Sequence, residues 1–313
     1  MQKVRAFAPA TVANLGVGFD VIGLAVADVG DFVTAERHDT PGVEVVSIVG
    51  DDGRLPRSSQ KNTAAIAAAR VLDLLQINAG VQLSIEKGLP PASGLGSSAA
   101  SAVAAAVATN VLFGELLTPE DLLPAVLDAE EAVSGRHADN VAPALFGGIV
   151  LVTGLLPSEI HRLPVPPGLY LALTTPQVEV PTQEARAVLP KVVPLSVLVH
   201  QTGVIAELVH ALHMGNIHLL ASAVQRDAVV EPAREALIPY LAEVRHAARR
   251  AGALATVISG SGPTTCSICI SIEDALSVQE VIQQLYAKRA IGCLGVVTTP
   301  AEEGARVIQA MPG

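Results

Sequence analysis

Lys87-Gly88-Leu89-Pro90-Pro91-Ala92-Ser93-Gly94-Leu95-Gly96-Ser97-Ser98-Ala99-Ala100 is the stretch that organises this chain. Its three glycines let the backbone turn N–H groups onto a ligand with no Cβ in the way. Two adjacent hydroxyls follow, then an alanine-rich segment whose composition calls for a helix. A helix starting there aims unpaired N–H groups and the positive end of its dipole at the loop, which makes the loop an anion site. A nucleotide polyphosphate is the anion such a loop suits best.

Two other glycine-rich devices fit less well. A Walker A loop needs Gly-x4-Gly-Lys-Ser/Thr. Here Gly88 and Gly94 are too far apart, and Leu95 stands where the lysine should be. Gly94-x-Gly96-x-x-Ala99 does satisfy the looser dinucleotide fingerprint. In that fingerprint, however, the strand runs almost directly into the first glycine. Gly88, Pro90 and Pro91 intervene after strand-like Val81–Lys87, and proline ends a central strand. The ribose-binding acid would fall near Glu115, in loop-like sequence.

Outward from the loop, the first half alternates patterns. Val4–Val12, Val21–Arg37 (interrupted at Gly30-Asp31), Val43–Val49 and Val81–Lys87 read as strands. Asn62 reads as the cap of an alanine-rich helix to about Ile77. The loop opens a helix from about Ser97 to Phe113. Thr118-Pro119-Glu120-Asp121 has a cap hydroxyl, proline at the first helical position and first-turn acids, and starts a helix to about Val133. Residues 154–168 hold Gly154, Pro157, Pro164, Pro166, Pro167 and Gly168, which sets a domain boundary there. Residues 1–158 and 159–313 are therefore expected as two domains. Beyond the boundary come strand Leu169–Thr175, a helix-rich stretch from about Thr182 to Arg250, strands Leu254–Ser259 and Thr264–Ile270, helix Ile272–Lys288 and strand Cys293–Thr298. That β–(several α)–β–β–α–β order is ferredoxin-like with an enlarged first crossover.

Composition sets limits. The chain has 313 residues, enough for two cores, and half of them are apolar, yet aromatics make up only 3%. The core must therefore be aliphatic and alanine-filled. The net charge of −10 and the absence of a Lys/Arg-rich run argue against nucleic acid as a partner. Met1–Arg5 leads into strand-like sequence and not into an apolar signal core. Ala99–Phe113 comes nearest to a membrane span but is too short, so no membrane is expected and the chain reads as cytoplasmic. Three cysteines fit a reducing compartment. Cys266-x-x-Cys269 falls on a strand, where positions i and i+3 face opposite sides, so core thiols are expected in place of a metal or redox pair. His210, His213 and His218 lie among leucines without a His-Glu-x-x-His pattern, and read as the polar face of an amphipathic helix.

The glycine loop resembles the phosphate-binding motif of the GHMP small-molecule kinases, among them galactokinase and mevalonate kinase. Two further stretches resemble motifs of that family, in the same order. They are Pro9-Ala10-Thr11-Val12-Ala13-Asn14-Leu15-Gly16-Val17-Gly18-Phe19-Asp20 and Ser259-Gly260-Ser261-Gly262-Pro263-Thr264. Asn14–Asp20, His137–Pro143, Pro181–Arg186 and Glu231–Arg234 look most like the members that phosphorylate L-homoserine. The resemblance runs from about residue 3 to about 299. It implies an α+β two-domain fold: a ribosomal protein S5 domain 2-like, ATP-binding N-terminal domain joined to a ferredoxin-like C-terminal domain.

The resemblance also implies a site for ATP and Mg²⁺. Pro91, Ser93, Gly94, Leu95, Gly96, Ser97 and Ser98 would hold the phosphates, with Asn62 and Lys87 near the adenine. Capping of the helix by the two serines is compatible with that role. Asp128, Glu130 and Glu131 stand near the end of one helix. The family's Glu-x3-Ser-Gly pattern selects Glu130, with Ser98, for the metal, although a one-residue difference in spacing keeps Glu131 open. Asn140 stands where mevalonate-type members have an aspartate. An amide can orient a hydroxyl but cannot take its proton, so the resemblance implies in-line attack on the γ-phosphate without a dedicated general base. Arg186 and Arg234 would hold the carboxylate of homoserine, because a guanidinium fork matches a carboxylate. Asp20 and Asn14 would face its ammonium group, with His137, Thr182 and Gly260 close by. The implied activity makes O-phospho-L-homoserine, a step of threonine biosynthesis, in a homodimer. Another small-alcohol kinase of the family, acting on mevalonate or shikimate, and a non-catalytic ligand-binding member are the alternatives.

Overall fold

The computed structural model describes residues 1–312. The chain runs β1 (Lys3–Ala13), β2 (Ile22–His38), β3 (Gly42–Val49), α1 (Thr63–Leu75), β4 (Gly80–Glu86), α2 (Ser97–Leu112), α3 (Pro119–Glu131), α4 (Val141–Phe146), β5 (Ile149–Val152), β6 (Ile160–Leu163) and β7 (Tyr170–Pro176). It continues through α5 (Thr182–Ala187), α6 (Leu195–His213), α7 (Ile217–Val224), α8 (Val230–Arg234), α9 (Leu241–Arg250), β8 (Ala255–Ile258), β9 (Thr265–Cys269), α10 (Ile272–Ala287), β10 (Cys293–Thr298) and β11 (Arg306–Met311).

The first sheet has the order β11-β1-β2-β4-β3, with β5 paired to β2 and β6 to β5. All its pairings are antiparallel except β3 with β4, which α1 joins as a crossover. β2 is continuous across Gly30-Asp31, where an interruption was expected. A Cβ at Gly30 would stand 2.1 Å from the Ala8 carbonyl oxygen, so only glycine admits that close strand approach. Asp31 beside it is fully buried and forms an ion pair with Lys87. α2 lies over this sheet. Ala99, Ala100, Ala102, Ala104, Ala105, Ala106 and Ala108 are all buried, because α1, α3 and α4 cover the faces that the sheet leaves open. Small side chains let these helices approach closely, which is how an aromatic-poor chain fills its core.

The second sheet has the order β10-β7-β9-β8, every pair antiparallel. Taken in chain order the strands lie fourth, first, third, second, with α9 and α10 on one face, the ferredoxin-like arrangement. Along β7, Ala172 faces α9 and α10, while Leu171 and Leu173 join the larger core shared with α6, α7 and the first sheet. Cys266 and Cys269 divide in the same way, one thiol on each face of the sheet. Burial pushes the Cys269 thiol up to about 12, the state of an inert core thiol.

Three features depart from the sequence reading. β6 and β11 lie beyond residue 158 but belong to the first sheet, so the expected division at 158/159 does not coincide with the division between sheets. β11 returns to pair with β1 after the second sheet is complete. The helix long and apolar enough to cross a membrane, by length and composition, is α6 and not Ala99–Phe113. α6 buries Val204, Leu208, Ala211 and Leu212 along one face and leaves His210 and His213 exposed.

Candidate active site

A cavity of about 340 Å³ opens between the two sheets. Six segments meet there: the β1–β2 loop, the loop between β3 and α1, the loop into α2, the end of α3 with the residues after it, α5 with α8, and the turn between β8 and β9.

The loop into α2 has a left-handed backbone at Gly94 (φ 80°) and Gly96 (φ 66°). A Cβ on Gly96 would stand 2.0 Å from Thr11 Oγ1 and 2.8 Å from Asn140 Oδ1. Gly96 is itself the N-cap of α2, and no side chain caps that helix. Ser97 and Ser98 are its first residues and not its caps, contrary to one expectation. Among the described residues, no protein acceptor meets the N–H groups of Gly94 through Ala99. These donors remain available to an anion. Ser93 Oγ, buried without a partner, adds another polar atom beside them.

The turn between β8 and β9 latches this loop in place. Ser259 Oγ donates to the Gly94 carbonyl oxygen at 2.6 Å, and Thr264 Oγ1 donates to that of Ser93 at 2.6 Å. Beneath the loop, Lys87 Nζ donates to Asp31, to the Ser97 carbonyl (2.8 Å) and to Ser101 Oγ (2.8 Å). Asp31 Oδ1 also accepts the Gly88 N–H at 3.1 Å. Lys87 lines the cavity, but its ammonium is tied inside the protein, 1% exposed. Asn62 is similarly engaged, since its Oδ1 caps α1 at Ala64 and Ala65 and its Nδ2 donates to the Pro56 carbonyl.

Glu130, one residue before the end of α3, faces the loop. Ser98 Oγ donates to its Oε2 at 2.9 Å, and Ser134 Oγ donates to Oε1. Burial raises the Glu130 carboxyl above the ordinary carboxylate range, partly opposed by the hydrogen bonds from Ser134 and Ser98. No cation pairs with it among the described residues. Glu131 instead pairs with Arg136 at 2.9 Å on the exposed side, and Asp128 pairs with Arg136 and Arg70. Of the two carboxylates left open by the sequence, Glu130 is the one that faces the loop, while Glu131 lies on the exposed side of α3. A buried carboxylate without a counter-cation, next to a hydroxyl, is a donor set suited to a hard divalent ion.

Asn140 Oδ1 accepts a hydrogen bond from Thr11 Oγ1 at 2.7 Å, which fixes the amide at the loop's edge. Asp139 beside it also lines the cavity. Burial, followed by the charge of Asp20, pushes its carboxyl up to about 7. The sequence reading gave Asp139 no role, because its position between two assigned neighbours carries no signal of its own.

The far end of the cavity is charged. Arg186 forks Asp20, with Nη1 at 3.1 Å from Oδ2 and Nη2 at 2.8 Å from Oδ1. Asn14 steadies this corner: its Oδ1 accepts the Asp20 N–H at 3.1 Å and its Nδ2 donates to the Gly260 carbonyl at 3.0 Å. Arg234 donates to the carbonyls of Ala185 (3.0 Å) and Gly260 (2.8 Å) and has no carboxylate partner among the described residues. His137 Nδ1 lies 3.7 Å from Asp20. Burial lowers the His137 pKa, Asp20 opposes this, and Arg186 adds to it. Thr182 lines the wall at the start of α5.

Every residue expected at the site therefore borders this cavity except Leu95. Leu95 turns its side chain into the core, 5% exposed, and its carbonyl accepts the Thr11 N–H at 3.0 Å. A leucine between two glycines of such a loop anchors it from below.

The class of protein follows from sequence matches to this architecture. Residues 62–148 match the GHMP kinases N terminal domain, and residues 206–288 match the GHMP kinases C terminal domain. The chain belongs to the GHMP kinase family. Within the family it stands with the homoserine kinases. It is 40% identical to a homoserine kinase of Chloroherpeton thalassium over 92% of this chain and 93% of that one. It is 40% identical to a homoserine kinase of Arabidopsis thaliana over 91% of this chain and 79% of that one. The crystal structure of homoserine kinase from Cytophaga hutchinsonii superposes with a TM-score of 0.94 at 44% identity, covering 98% of both chains.

Proposed function

We propose that this protein transfers the γ-phosphoryl group of ATP to the hydroxyl of L-homoserine, giving O-phospho-L-homoserine for threonine biosynthesis. One observation carries the reading. A single cavity holds an uncapped helix N-terminus at one end and, at the other, a carboxylate facing two guanidinium groups. The first end suits a triphosphate and the second suits a zwitterionic amino acid, so the two co-substrates lie side by side. Mevalonate and shikimate have a carboxylate for the arginines but no ammonium for Asp20.

Phosphoryl transfer asks for charge neutralisation and alignment more than for covalent chemistry. The amides of residues 94–99 and the hydroxyls of Ser97 and Ser98 face the phosphates. Glu130, with Ser98, would hold Mg²⁺, which supplies neutralisation of the charge on the transferring group. Asn140 orients the attacking hydroxyl, and its amide cannot accept a proton. The substrate gives up its proton late, to the γ-phosphate, which a loose transition state tolerates. Arg186 and Arg234 take the carboxylate while Asp20 and Asn14 take the ammonium, with His137, Thr182 and Gly260 closing the pocket. A cytoplasmic homodimer belongs to the same reading: unpaired thiols fit a reducing compartment, and the dimer carries over from the family resemblance.

ADP release from Mg-ATP, measured with homoserine, mevalonate, shikimate, galactose and CDP-methylerythritol, tests this reading. Release with homoserine alone is the expected result. Release with another alcohol and none with homoserine would overturn it.

A further inference from the structure

Phe19 stands against both arginines of the amino-acid end. The Arg186 Cζ lies 5.3 Å from the centroid of its ring and the Arg234 Cζ 5.2 Å. Both distances fall within cation–π range. The ring belongs to the β1–β2 loop and borders the cavity, whereas both guanidinium groups come from the other half of the chain. In a protein with five phenylalanines, three tyrosines and no tryptophan, an aromatic ring on a polar cavity wall is conspicuous.

The two guanidinium groups need such a neighbour. Each is a fixed positive charge; Asp20 pairs directly with Arg186 alone, and Arg234 feels Asp20, Asp139 and Glu231 only at longer range. Arg234 is 3% exposed and held by two carbonyl oxygens. A π face offers negative potential to both cations without occupying their N–H donors, which a carboxylate would do. We infer that Phe19 is a positioning residue, an aromatic platform that holds Arg186 and Arg234 side by side while taking none of the N–H donors that the carboxylate of the amino-acid substrate needs. Phe19 thereby sets carboxylate affinity from the opposite half of the chain. The inference rests on the proposed use of homoserine and names a determinant of that specificity.

Phe19→Leu keeps an apolar side chain and removes the π face. Its KM for homoserine should rise roughly tenfold, with kcat and the KM for ATP within about twofold of the parent, since two partly buried cation–π contacts are lost. Phe19→Tyr should restore the parent KM. Turnover of 3-amino-1-propanol, which lacks the carboxylate, should be insensitive to Phe19→Leu; a merely structural role would impair both acceptors alike. Should Phe19→Leu fold poorly, stepwise fluorination of the Phe19 ring withdraws charge from its face while nearly preserving its shape. The homoserine KM should then climb with each fluorine. An unchanged homoserine KM across Phe19→Leu or the fluorinated series, or equal losses with both acceptors, overturns the inference and leaves homoserine turnover by the parent protein intact. Absence of homoserine turnover by the parent would instead strike the proposed function.

Discussion

Arg186 and Asp20, 166 residues apart in sequence, form a two-bond fork that joins α5 to the β1–β2 loop across the cavity. Each is about 30% exposed, so the pair is accessible and contributes little to stability. Its importance is geometric. A zwitterion carries the same two charges in reverse order, so homoserine can enter by replacing each partner: ammonium to Asp20, carboxylate to Arg186.

Arg186→Ala and Asp20→Ala should each raise the homoserine KM roughly 30-fold or more, as expected when one member of a desolvated charge pair is truncated. The KM for ATP should not change. The double variant should fall short of the product of the two effects, because both act on one bound zwitterion. Steady-state kinetics checks this, and unchanged homoserine KM values would remove both residues from the site.

Glu130 has a pKa raised by burial, so its ionised form is disfavoured in the folded protein. Its stabilising contribution is therefore present at low pH and is lost as pH rises through the folded value. Without Mg²⁺, Glu130→Gln should melt higher than the parent at neutral pH, and the gap should close as pH falls. Adding Mg²⁺ with ATP should stabilise the parent and not the variant. Thermal unfolding with and without Mg-ATP reads both effects; a Mg²⁺ response retained in Glu130→Gln would contradict the assignment.

Asp139 follows the same sign, with burial pushing its carboxyl up from the ordinary carboxylate range to about 7. Asp139→Asn should be more stable than the parent, by an amount that grows between about pH 4 and 7 and is level above that, reaching a few kcal/mol at most. Its kcat should fall by no more than severalfold if the proton passes to the phosphate. A loss of about a thousandfold, the upper range for a removed acid–base group, would make Asp139 the proton acceptor.

Asn140→Ala should lower kcat by about 10- to 100-fold with little change in either KM, the signature of lost alignment. Rapid-quench measurement of the chemical step distinguishes this from slower product release, and parent-like rates would exclude Asn140.

Gly96→Ala combines a left-handed φ of 66° with a Cβ placed 2.0 Å from Thr11 Oγ1. The variant should lose about 1–3 kcal/mol of stability and most ATP binding, because the loop can relieve the clash only by turning its amides away. Calorimetric titration with an ATP analogue checks the second effect.

Much of this was legible in the sequence where a local rule and a tertiary requirement coincide. Asn62 and Thr118 announce helix starts, and both cap helices in the structure. The glycine loop is legible because its distinguishing feature, a run of backbone N–H groups without protein acceptors ahead of a helix, follows from glycine spacing and the alanine-rich segment behind it. β11 escaped notice since its residues are all exposed and carry no alternation of burial. The Asp31–Lys87 pair escaped because both residues sit on strand-like sequence, and only folding brings the β2 position beneath the loop. Phe19 was visible as a letter in a motif, but its contact with two arginines more than 160 residues away is a property of the assembled halves. Leu95 shows the reverse: its motif position suggested a ligand contact, while its apolar side chain was drawn into the core.

Co-crystals with L-homoserine, Mg²⁺ and a non-hydrolysable ATP analogue test the central claim most directly. The expected complex has the triphosphate on the amides of residues 94–99, the amino-acid carboxylate on Arg186 and Arg234, and the ammonium at Asp20. Phosphates bound elsewhere, or a homoserine whose carboxylate avoids both arginines, would contradict it.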